Sequence, residues 1–98
     1  MTKEELFEKY NINESHSEWD DVMDSWYSVE IYKLLYKKLP TTTNLTICWV
    51  ISFLDKKDDM NWWMRNVMLK SDWGSYYLTA KRMVYRYADY IIDEINNS

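Results

Sequence analysis

The sequence predicts an all-α fold, a compact bundle of four to five helices forming a single helical domain over residues 1–98. Three observations point there. One glycine and one proline in the whole chain leave few places where a helix must stop. Apolar residues recur at three- and four-residue spacing in most segments. Helix-start signals stand in front of several of those segments. At this length the chain forms one domain. Surface scaling gives roughly 6,000 Å² exposed when folded against about 17,500 Å² unfolded, enough burial for a modest core without staples.

The elements follow in order. Thr2-Lys3-Glu4-Glu5 is a capping box opening a short first helix, with Leu6, Phe7 and Tyr10 to bury. Asn11 to Ser15 reads as a loop. Ser17 is the next expected N-cap, with Glu18, Asp20 and Asp21 in the first turn, where the helix dipole favours acids. From Glu18 to Leu39 the pattern is helical but its apolar face changes. Trp19, Val22, Met23, Trp26 and Val29 form one stripe; from Tyr27 onward the apolar side is Ile31, Leu34, Leu35 and Leu39. A straight surface helix does not change faces abruptly, so the helix either breaks near Ser25–Ser28 or crosses from one packing partner to another, and a bend or break is the preferred reading. Pro40 ends the unit.

Leu45 to Leu54 carries two patterns. Leu45, Ile47, Trp49, Ile51 and Phe53 alternate with Thr46, Cys48, Val50 and Ser52, as a strand would. The same run is apolar all round, as a central helix would be, and a lone strand has no partner here. The helical reading is preferred. Its alternative is an α+β fold with a strand at 45–54 in a small sheet. Met60, Trp63, Met64, Val67 and Met68 share one face of a further helix. Lys70 to Gly74 is expected to turn. Ser75 to Asn96 forms the last helix, with Tyr76, Tyr77, Ala80, Val84, Tyr87, Ala88, Ile91 and Ile95 on one face. Thr79, Arg82, Arg86, Asp89 and Asp93 lie opposite, where Arg86 and Asp89 are spaced to pair.

Composition excludes more than it assigns. Phosphate-cradling loops and nucleophile elbows need two or more glycines, and Gly74 is alone. One cysteine and one histidine cannot make a zinc site, and the lone cysteine, Cys48, points to a reducing compartment. His16 lies beside Ser15, Ser17 and Glu18, but a catalytic triad needs groups converging from separate elements. No catalytic residue, cofactor or metal site is expected. The apolar run 45–54 falls short of the about 20 residues of a spanning helix, and the acidic N-terminus is not a signal peptide. A cytoplasmic location follows as the expectation.

What remains is surface chemistry. Net charge is −7 over residues 1–30, +4 over 31–57, +2 over 58–88 and −3 beyond, so the N-terminal third is acidic. Asp20, Asp21 and Asp24 are its expected steering face for a partner with a basic surface. Trp62 falls off the apolar face of its helix, beside Arg65 and Leu69, and Trp73 sits in the expected turn. Trp62, Arg65, Leu69 and Trp73 are therefore the candidate anchors of a protein interface. The expected function is a non-enzymatic inhibitor of another protein, of the immunity or phage anti-defence kind. The alternatives are a small DNA-binding regulator, using Lys81, Arg82 and Arg86 among tyrosines, and a homo-oligomeric structural subunit.

Overall fold

The computed structural model describes residues 1–36, 50–55 and 73–97, and these are all-α, with no strand among the described residues. Helix α1, Lys3–Tyr10, begins with the capping box read from the sequence: Thr2 Oγ1 accepts the Glu5 amide at 3.2 Å and Glu5 Oε1 accepts the Thr2 amide at 3.3 Å. It ends at Asn11, which takes the left-handed conformation at φ 56°. The Asn11 amide bonds the Glu8 carbonyl and the Ile12 amide bonds the Phe7 carbonyl. That pair of bonds is a Schellman motif, and asparagine tolerates the conformation it requires. Leu6, Tyr10 and Ile12 enter the core.

A short 3₁₀ turn, Glu14–Ser17, begins in the last two residues of the expected loop and runs on to the expected cap. Helix α2, Asp21–Tyr36, starts later than the sequence suggested. Ser17 does not cap it, because Ser17 closes the 3₁₀ turn. Asp20 is the cap: its Oδ1 accepts the Met23 amide at 3.0 Å, while Asp24 Oδ2 reaches back to the Asp20 amide at 2.9 Å. Nor does α2 break near Ser25–Ser28. Its buried side is Asp24, Tyr27, Ser28, Ile31 and Tyr32 from the first turn onward. The core therefore stays on one face, and the stripe through Val22 and Trp26 lies outside it.

Residues 50–55 are helical, with Val50, Phe53 and Leu54 fully buried. This overturns the strand alternative for 50–54; residues 45–49, and the helix expected over 60–69, lie outside the described residues. Trp73 and Gly74 are not in a turn but open helix α3, Trp73–Arg86. The expected single last helix is two, α3 and α4, Ala88–Asn96, with Tyr87 between them at φ −111° and ψ 25°. The Tyr87 amide still reaches the Met83 carbonyl and the Ile91 amide the Tyr87 carbonyl, so the two helices run on from one another.

Helix α3 packs against α2 and the 3₁₀ turn, and α1 packs against α4. Tyr76, Ala80, Met83, Val84, Ala88 and Ile91 supply the C-terminal share of the core. Ile95, expected on that face, is exposed. The folded chain exposes 6260 Å², close to the value that its mass predicts. Its radius of gyration of 12.9 Å matches the about 13 Å of a compact chain this long.

Candidate functional site

The first two turns of α2 have two unlike sides. The inner side is polar. Asp24 has no exposed surface, and its Oδ1 accepts from Thr79 Oγ1 at 2.9 Å and from Arg82 at 2.8 Å. Its Oδ2 holds the Asp20 amide, so both carboxylate oxygens are taken by protein donors. One turn on, Ser28 Oγ donates to the Asp24 carbonyl at 2.6 Å. Thr79 and Arg82, expected on the polar outer face of the last helix, instead point into α2. A buried carboxylate is tolerated only when paired and hydrogen-bonded, and this one is.

The outer side is apolar. Val22 is 76% exposed, Met23 44% and Trp26 48%, although their spacing fits a core stripe equally well. Val29 continues the same line, half-buried, and beyond it Lys33 pairs with Glu30 at 3.4 Å. Trp26 is braced from the side by Tyr27, edge to face at 4.8 Å, and by Tyr76 at 6.4 Å. Glu18, Asp20 and Asp21 are exposed at the N-terminal end of this stripe.

The structure thus divides the acids expected to steer a partner. Asp20 and Asp21 stand at the surface, Asp20 also serving as the helix cap. Asp24 does not: it is an internal ligand of Arg82, and its assignment to a binding face is corrected. Trp62, Arg65 and Leu69 lie outside the described residues, and Trp73 is the first residue of α3. Sequence reasoning missed Val22, Met23 and Trp26 as surface residues. The one signal available was their position directly after three acids, on a stripe that does not continue past Val29.

The basic residues of the last helices each contact a neighbour in the chain, although Arg86 remains exposed. Lys81 lies 4.7 Å from the Tyr77 ring centre and reaches the Asn11 carbonyl at 3.4 Å. Arg82 is bound to Asp24. Arg86 lies over the Trp19 ring at 4.7 Å rather than pairing with Asp89, which faces Lys3 at 4.0 Å. The Arg86–Trp19 contact ties the segment between the 3₁₀ turn and α2 to α3, whereas Lys81 and Tyr77 both belong to α3. His16 Nδ1 sits 3.1 Å from the Asn13 amide nitrogen. Burial, with Lys81 and Arg82 nearby, pushes the imidazole below its ordinary range, against a raising hydrogen bond to the Asn13 backbone.

Among the described residues no three His, Cys, Asp or Glu side chains converge as a metal site, and no helix is long and apolar enough to cross a membrane. No protein-family model matches the sequence, and comparisons with curated proteins and with solved structures find no match.

Proposed function

We propose that this chain is a non-enzymatic protein-binding factor, a small stoichiometric antagonist that works in the cytoplasm by covering part of a partner's surface. One observation carries the reading: Val22, Met23 and Trp26 stand exposed on a single helix face beside Glu18, Asp20 and Asp21. Exposed tryptophan and methionine are enriched at binding hot spots, and scattered single apolar residues would not line up this way. The acids add steering toward a basic surface. The commitment of Arg82 to Asp24, together with the acids that border the stripe, supports a protein partner over a nucleic acid, whose binding needs cations free to meet phosphates.

An immunity protein or a phage protein directed at a host defence is the biological form proposed for this chemistry. Trp62, Arg65, Leu69 and Trp73 remain proposed as further anchors. The test is co-purification of a tagged chain with a reconstituted partner. Trp26→Ala with Val22→Ala should abolish the complex while far-ultraviolet circular dichroism stays helical. Retention of the complex by that double variant, or a shift of DNA that depends on Arg86, would overturn the reading. Trp62→Ala with Trp73→Ala tests the second anchor set in the same assay.

A further inference from the structure

We infer that the outer face of α2 is itself the inserted element, and that its partner is a protein carrying an apolar groove rimmed by lysine or arginine. The inference rests on the proposed binding function and goes on to name the shape and charge of the surface that receives it. Shape comes first. Val22, Trp26 and Val29 stand at i, i+4 and i+7 on one stripe, with Met23 beside it. That spacing is how a helix presents anchors to a groove. The anchors protrude, Val22 at 76% and Trp26 at 48% exposure, so the partner supplies the concavity.

Charge chooses among possible occupants. Glu18, Asp20, Asp21 and Glu30 flank the stripe, against Lys33, which is already paired with Glu30 at 3.4 Å. A second copy would bring this net acidic face against itself. An anionic membrane surface would be repelled for the same reason, and so would a nucleic acid backbone. A groove with a basic rim complements both the apolar stripe and its border.

Rigidity supports the same assignment. A helix-in-groove ligand is usually disordered alone and loses affinity to ordering. Here the inner side of the same turns is fixed to α3 through Asp24, Thr79 and Arg82, so the anchors are held in helical register before binding.

The experiment places a photoreactive benzoyl-phenylalanine at position 22 in the full chain, and separately at position 78, where Leu78 is also exposed but lies on α3. Irradiation in the cells that make the protein should give one adduct from position 22 and none from position 78. Peptide mapping should place the adduct in an apolar groove of the partner with lysine or arginine at its edges. With that partner purified, Glu18→Lys plus Asp21→Lys should weaken binding about tenfold at low salt, and the difference should shrink near 1 M salt, where the Debye length is about 3 Å. An adduct with a second copy, with lipid or with nucleic acid overturns the inference, as does binding indifferent to both charge reversal and salt. A partner adduct from position 78 alone overturns the groove while leaving a binding protein. No partner adduct from either position overturns the inference, and failure of the tagged chain to co-purify with any protein overturns the binding reading as well.

Discussion

Asp24 and Arg82 are unequal members of their pair. The Asp24 side chain is 1% exposed and the Arg82 side chain 21%, with the Arg82 Nε buried and lacking a hydrogen-bond partner. Removing Arg82 therefore strands a carboxylate that cannot reach water. Removing Asp24 instead frees an arginine that can turn outward, but it also opens the Asp20 amide and the Thr79 hydroxyl. Each single alanine variant should lose about 3–5 kcal/mol, the cost of breaking a buried pair. Asp24→Ala with Arg82→Ala should lose less than the sum, by roughly 1–3 kcal/mol, in urea denaturation of the four proteins. Strict additivity would mean that the contact has no energetic coupling. His16 offers a second residue-scale test. Its folded-state affinity for a proton is lowered, so the unfolded chain, titrating near pH 6.5, takes up the proton first. Stability from this group is complete above about pH 6.5 and declines as the pH falls below it. Wild type should lose more stability than His16→Gln between about pH 7.5 and about pH 5.5; parallel losses would dismiss the effect.

At the scale of elements, α2 shows what a sequence can and cannot specify. Caps and periodicity marked helices correctly at Thr2–Tyr10 and through most of 75–96, because those signals act within a few residues. The outward turn of Val22 and Trp26 was not legible. A stripe at helical spacing has the same pattern whether it faces a core or a partner, and the deciding contacts, Asp24 with Thr79 and Arg82, come from residues 55 and 58 positions away. The charge of Asp20 and Asp21 was legible, but their division of labour with Asp24 was not. Val22→Lys should therefore change unfolding free energy by less than about 0.5 kcal/mol, as surface substitutions do, whereas Ile31→Ala on the buried side should cost about 2–5 kcal/mol. Similar losses at both positions would show that the stripe packs within the chain. Gly74 is the other local test. It opens α3 in an ordinary conformation, exposed, with nothing within 4 Å of an added Cβ. The residue read as a turn glycine is thus not needed for its freedom, and Gly74→Ala should stabilise by about 0.4–1 kcal/mol through a less flexible unfolded chain. A loss measured by thermal unfolding would reveal a constraint on that position.

At the scale of the whole molecule, α1 is the strap. Just ahead of it the chain meets the last helix, where Asn96 Oδ1 accepts from the Met1 nitrogen at 3.0 Å across a sequence separation of 95. The last residue of α1 crosses to the middle of the chain, where the Tyr10 hydroxyl donates to Asp55 across a separation of 45. Lys9 stands 3.9 Å from the same carboxylate. Burial first, then the hydrogen bond to Asp55 and its charge, push the Tyr10 phenol well above its ordinary value. The sign of the consequence is opposite to that of His16. Below about pH 10 both folded and unfolded chains keep the Tyr10 proton, and its contribution to stability is complete. As the pH rises past 10 the unfolded chain loses that proton while the folded chain keeps it, so stability falls. Other tyrosines and the lysines titrate in this range too, which makes the informative quantity a difference between variants. Wild type should lose more stability between about pH 9 and about pH 11 than Tyr10→Phe, which has no phenol to ionise. Asp55→Asn should fall between them, because it removes the negative charge but leaves Tyr10 buried with an oxygen to bond. If all three decline in parallel, Tyr10 ionises alike in the folded and unfolded chains, and its burial beside Asp55 does not set the alkaline limit of stability.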